Sequence, residues 1–166
     1  MFAVGFGSKN RETAIRRIAG KDHTTAVVLA AVHFEWMLKR AVLKLGISPT
    51  RRLRLQLEDV YKIREKGGKG DYQKIWRREV EPRFKNSALG SVLGNLPKIQ
   101  SFGRKGTAMD VRGRIVHGNG TVSRRDAQMA VDQFLRAGEK LRAFAAKHGE
   151  DLDSVLRRRI KRRLSK

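Results

Sequence analysis

The sequence predicts an all-α protein: an up-and-down antiparallel helical bundle with a basic C-terminal helical extension. Three observations carry that class. Apolar residues recur at three- and four-residue spacing instead of alternating. Only Pro49, Pro82 and Pro97 interrupt the 166 residues. Capping residues and glycines bracket the periodic stretches. One domain is expected at this length, and a 40% hydrophobic composition is enough for one core. The bundle is assigned to residues 1–149, its core to about 22–148, and the tail to 150–166.

A short helix is expected over Asn10–Ala19. The clearest helix follows Asp22 as N-cap and runs to Leu45, with Gly46 as its stop. Val27, Ala30, Ala31, Phe34, Met37, Leu38, Ala41, Val42 and Leu45 form its apolar face. The next helix begins near Thr50 and ends at Gly67-Gly-Lys-Gly70. Tyr72, Ile75, Trp76 and Val80 fit a helix that Pro82 ends, and Ala88–Leu96 fits a short one. Thr107-Ala-Met-Asp110 resembles a capping box, with Asp where Glu or Gln is usual, and opens a helix to His117, stopped by Gly118-Asn-Gly120. Ser123-Arg-Arg-Asp126 opens the last bundle helix in the same way, to about His148. Leu152, Leu156, Ile160 and Leu164 lie four apart and predict a basic amphipathic helix at the C-terminus.

Lys and Arg number 38 against 16 Asp and Glu, a net charge of +22. Charge of that size makes the compact state repel itself and draws it toward polyanions, with nucleic acid the leading partner. No cysteine is present, which excludes a disulfide framework, a thiolate zinc site and a cysteine nucleophile. The longest apolar run, Ala26–Val32, is seven residues, against about 20 for a membrane span. Neither a membrane segment nor a secretory signal is visible at the start, and a cytoplasmic setting is expected. Carboxylates are scattered, so neither a metal site nor any cofactor is expected.

Four histidines supply the groups that titrate near neutral pH. His23 reads as a surface residue and His33 as a structural, half-buried one. His148 reads as an imidazolium favoured by a helix C-terminus. His117 keeps different company, in Met109-Asp-Val-Arg-Gly-Arg-Ile-Val-His117-Gly-Asn-Gly120. Phosphodiester cleavage needs a proton acceptor or donor near pH 7 and a cation on the phosphorane. Both types stand within this segment. An Asp110–Arg114 ion pair, with Val111 and Ile115 in the core, is the plain structural alternative. Trp36, Trp76, Tyr61 and Tyr72 read as core before they read as base-stacking platforms.

Arg112-Gly-Arg-Ile-Val-His117 resembles the R-x4-H arrangement of HEPN domains (higher eukaryote and prokaryote nucleotide-binding domains). Ile115-Val-His-Gly118 is similar to the ending common in that superfamily, and Phe34-Glu-Trp-Met-Leu-Lys39 resembles its first bundle helix. The resemblance covers roughly Asp22–His148. It implies a helical bundle that forms a homodimer with a composite active site, and a metal-independent endoribonuclease of the toxin or defence kind. Arg112 and His117 would be the catalytic pair. Gly113 departs from the family pattern, where a polar residue is usual, and leaves Arg114 and Asn119 as auxiliary candidates.

Five residues on a helix correspond to about 140° around its axis, so Arg112 and His117 do not share a face. Either unwinding at Gly118 returns His117 to the arginine's side, or the pair lines a groove between two subunits; the dimer is favoured. RNA is the expected substrate, cut by 2′-OH attack to a 2′,3′-cyclic phosphate. Arg104, Lys105, Arg124, Arg125, Arg157, Arg158, Arg159, Lys161, Arg162 and Arg163 are the expected nucleic-acid contacts. The tail Leu156–Lys166, with seven basic residues and no acid, is expected to act as a separable anchoring arm. The alternative is a non-catalytic basic nucleic-acid-binding protein, or a HEPN-like partner protein that docks an acidic antitoxin.

Overall fold

The computed structural model describes residues 7–65, 72–94, 105–118 and 121–160. The expected Gly67–Gly70 loop lies outside them. The described chain is an all-α bundle: α1 (Ser8–Ala19), α2 (His23–Leu45), α3 (Thr50–Glu65), α4 (Tyr72–Glu79), a 3-10 turn (Glu81–Arg83), α5 (Leu89–Val92), α6 (Ala108–His117) and α7 (Arg124–Lys147).

Local chemistry sets the helix starts. The Asp22 carboxylate accepts the Thr25 N–H at 2.9 Å, the Thr107 hydroxyl accepts that of Asp110 at 3.1 Å, and the Ser123 hydroxyl accepts that of Asp126 at 3.0 Å. Each satisfies a donor that the first helical turn leaves without a partner. Gly118 ends α6 at φ 65°, the left-handed conformation that glycine adopts without a Cβ penalty.

The central pair is α2 and α7. Phe34 packs on Phe134 with centroids 5.9 Å apart. Ala127, Ala130, Ala137, Gly138 and Ala145 make one side of α7 narrow enough for a close approach. At Gly138 a Cβ would already stand 3.6 Å from the Met37 side chain and 3.8 Å from His33 Nε2. Leu135, Leu141, Met37 and Leu45 are fully buried in the same core. Removing such large apolar side chains from water, at about 1.5–3 kcal/mol each, is the main force holding the bundle together.

Helix direction follows from the pairings. Glu12 meets His33 and Arg11 lies over Trp36, so α1 runs antiparallel to α2. Arg16 meets Asp132 while Glu12 meets Arg142, so α1 also runs antiparallel to α7. The long helices α2 and α7 are therefore parallel, with both C-termini at one pole. Arg83 donates to the Leu45 carbonyl there, and the neighbouring Phe84 stacks on His148 at 4.0 Å. Two parallel helix dipoles concentrate unpaired carbonyls and negative partial charge at that end.

A second group of elements closes the side of the bundle. Trp76 is fully buried, and its indole N–H donates to the Ser87 carbonyl at 2.7 Å. Glu79, also buried, accepts the Ser48 N–H at 3.0 Å and the Ser48 hydroxyl at 3.1 Å, which fixes the turn between α2 and α3. Ala88–Leu96 forms only the single turn α5, Leu89–Val92, within its described part.

The C-terminal extension is not helical over its described part. Residues 151–160 form a turn followed by an extended strap. Leu152 is fully buried, but Ile160 is 85% exposed, so the predicted apolar stripe has no common face. Asp153 accepts the N–H and hydroxyl of Ser8 at 2.8 and 2.7 Å, at the start of α1. Arg40 takes the carbonyls of Leu152 and Ser154, and Lys44 the Ser154 hydroxyl. Arg159 and Thr50 exchange two bonds of 3.1 Å. These partners occupy carbonyls that a helix would need, and the clustered like charges along the segment oppose helix formation too. The segment is part of the bundle surface rather than a separate arm.

Candidate nucleic-acid site

The segment that holds Arg112 and His117 is built from its N-terminus. Thr107 caps α6, and Asp110 accepts the Gly106 N–H at 3.1 Å, which closes the preceding turn. Ala108 and Val111 are fully buried and Ile115 packs against the core. That face fixes the rotation of the helix. Arg112 then lies on its flank, partly exposed, and His117 lies exposed on the side away from the core. Helical geometry runs through His117, so the unwinding that would return it to the arginine's side does not occur.

Among the described residues, neither Arg112 nor His117 has an ion pair or hydrogen-bonding side-chain partner. Arg114 differs: its Nε lies 3.3 Å from the Asp110 carboxylate and its Nη1 donates to the Thr121 carbonyl at 3.1 Å. It braces the helix end through these two contacts. Asn119, the other auxiliary candidate, lies outside the described residues, as does Arg104. Lys105, Arg124 and Arg125 are exposed around the two ends of the α6–α7 hairpin. Val116, next to His117, is 46% exposed and adds an apolar spot to this face.

The tail cations divide. Arg157 and Arg158 are exposed, whereas Lys161, Arg162 and Arg163 lie outside the described residues. Arg159, expected to contact nucleic acid, instead donates to the carbonyls of Leu43 at 3.1 Å, Lys44 at 3.2 Å and Ser48 at 3.0 Å. A planar guanidinium fork suits several carbonyls at a helix end, and the dipole there favours a cation. Because α7 is 24 residues long, the strap begins about 36 Å from the end of the hairpin that carries His117.

His23 is half-buried at the start of α2, whereas His33 and His148 are structural, His148 for a different reason than expected. His33 Nε2 is 3.2 Å from Glu12, which also pairs with Arg142, while Arg142 donates to the Ser8 hydroxyl at 3.0 Å. His33 is buried rather than half-buried, and its Nδ1 has no partner among the described residues. His148 caps the C-terminus of α7, but its surroundings disfavour the charged ring. It stacks on Phe84 and meets Phe144 edge-on at 4.7 Å, and burial, then Lys147 and Arg83, lower its pKa. Trp76 and Tyr72 are core residues, as expected. Trp36 is only half-buried, with the Arg11 guanidinium 4.0 Å from its ring and Arg40 at 5.2 Å, so cations already occupy its surroundings. Tyr61 lies outside the described side chains.

Sequence reasoning missed Arg40 and Lys44. Both sit on the most apolar helix, and nothing local marks them as more than solvent-facing charges. Among the described residues no three His, Asp or Glu side chains gather as a metal-ligand set, and no helix is long and apolar enough to cross a membrane. The chain matches no family model, no curated protein and no solved structure. The likeness to HEPN domains therefore rests on the residues of the Arg112–His117 segment and their helical setting.

Proposed function

We propose that the chain is a metal-independent, HEPN-type endoribonuclease that works as a homodimer. One observation carries this reading: among the described residues, exposed His117 and half-buried Arg112 have no side-chain partner, on a helix whose other arginine is tied to Asp110 and Thr121. On one regular helix the two are about 140° apart, which supports a groove shared between two copies as the place where they act together.

In this mechanism neutral His117 takes the proton of a ribose 2′-OH. The 2′-oxygen attacks the adjacent phosphorus in line, the bond to the 5′-oxygen breaks, and Arg112 stabilises the anionic phosphorane. The partner subunit's His117 returns a proton to the leaving 5′-oxygen. The products are a 2′,3′-cyclic phosphate and a 5′-hydroxyl. Single-stranded loops are the preferred substrate because their backbone can splay. The net charge of +22 supports RNA as the partner and, in a toxin or defence setting, an acidic protein as its neutraliser. The cysteine-free composition supports a cytoplasmic setting.

Incubating purified protein with labelled RNA in excess chelator tests the reading. Cleavage is expected in wild type and abolished in both Arg112→Ala and His117→Ala; undiminished cutting by both variants refutes it. The charge and Gly113 favour a second reading, a non-catalytic RNA- or DNA-binding or partner protein. That reading predicts salt-sensitive binding with the RNA left intact.

A further inference from the structure

The pole where α2 and α7 end carries a feature that the Arg112–His117 reading does not use. A groove of about 500 Å3 opens between the end of α2 and the strap. Lys44, Arg157, Arg158 and Arg159 line it against a single carboxylate, Glu150, with Leu43 and Leu156 as apolar wall. That volume lies within the range of small-ligand sites, about 300–1,000 Å3.

Lys44 is the unusual member. It is only 7% exposed, yet among the described residues its ammonium donates to neutral oxygens alone, the Ser154 hydroxyl and, at 3.4 Å, the Val155 carbonyl. No carboxylate lies within ion-pair distance of it among the described residues. A lysine ammonium has three donors, so among the described residues one remains for a ligand. Among the described residues, Arg40 beside it likewise donates to carbonyls only, those of Leu152 and Ser154. Desolvation, then repulsion from Arg40, lower the Lys44 pKa, and the more distant carboxylates of Glu150 and Asp151 offset this only in part. A buried cation facing other cations is costly unless an anion balances it.

We propose that this groove is a phosphate-binding site, in which Lys44 at the base and Arg157 and Arg158 at the rim hold a phosphate group while Leu43 and Leu156 cover its apolar neighbour. Arg159 shapes the groove by holding the strap down and contributes its charge without leaving its carbonyls. Lysine supplies a point charge and arginine a planar fork, the two donor types that phosphate oxygens accept best. The phosphate comes either from the backbone of a nucleic-acid strand or from a free polyphosphate. The site stands at the opposite pole from His117 and does not depend on the cleavage reading.

The test uses the full chain and a short, labelled 2′-O-methyl oligonucleotide, which lacks the 2′-OH and so cannot be cleaved by the proposed mechanism. Tripolyphosphate is the second probe, and both are measured near physiological salt. Arg157→Ala/Arg158→Ala, two exposed positions, should weaken binding about tenfold or more and lower the salt slope by about two. Arg17→Ala/Lys21→Ala removes the same charge from exposed positions at the other pole and should change affinity less than about twofold. Oligonucleotide binding that tripolyphosphate displaces assigns the groove to a strand backbone. Binding of tripolyphosphate alone assigns it to a free polyphosphate. Equal losses in the two double variants, unchanged binding in Arg157→Ala/Arg158→Ala, or no binding of either probe overturns the proposal.

Discussion

Arg159→Ala should destabilise the whole bundle, although the residue stands in a stretch that reads as a charged tail. Its guanidinium serves three carbonyls at the end of α2, and its backbone N–H and C=O pair with Thr50. A hydrogen bond to a charged group contributes about 1.5–3 kcal/mol net. The three share one guanidinium at a half-buried site, and the freed carbonyls regain some water. The expected loss is therefore about 2–3 kcal/mol, well short of the simple sum. Truncation before Leu156 also removes the Thr50 pair and should cost about 3–4 kcal/mol. Urea unfolding followed by circular dichroism measures this, with the midpoint falling by about 1–2 M at unchanged slope. Arg159→Lys keeps the charge but loses the fork, and should recover about half of the loss. Stability of Arg159→Ala and of the truncation within about 0.5 kcal/mol of wild type would mean that the strap is a free arm, and would refute the reasoning.

Two further predictions concern the core network and pH. Glu12→Ala leaves the Arg142 and His33 side chains without their shared carboxylate in a mostly buried setting, and should cost about 3 kcal/mol in thermal or urea unfolding; an effect below about 1 kcal/mol would show that water replaces it. His148 has its pKa lowered by burial and by Lys147 and Arg83, so the folded state binds fewer protons than the unfolded one near that pKa. Its contribution to stability is thus complete above the ordinary imidazole range, about 6.5, and is lost as pH falls through the lower folded value. Comparing wild type with His148→Phe from pH 7.5 to 5 should show the wild type losing ground on the acid side; parallel curves would reject the assignment.

The legible parts of this protein are those whose partners lie within a few residues. Asp22 and Thr25, Thr107 and Asp110, and Ser123 and Asp126 are each three apart, so the helix starts could be read directly from the sequence. The apolar faces of α2 and α7 follow from spacing in the same way, and so does the Asp110–Arg114 pair. The tail was misread for a complementary reason. A stripe of Leu152, Leu156 and Ile160 allows an amphipathic helix but does not require one. Carbonyls at the end of α2, more than 100 residues earlier, compete for Arg159. The setting of His148 is not legible locally because its ring partner Phe84 is remote in sequence.

By itself, then, the sequence determined the all-α class, the caps, the core faces and the +22 charge that any partner must answer. It also placed Arg112 and His117 on one helix, about 140° apart. Only the tertiary structure decided which charges are engaged. Helix direction is set by packing between distant segments, and the parallel run of α2 and α7 brings two carbonyl ends to one pole. Arg40, Lys44, Arg83 and Arg159 gather there for hydrogen bonds to neutral oxygens, while half-buried Arg112 and exposed His117 lie nearer the other end. A net charge counts cations without position, and only a fold assigns each cation its neighbours.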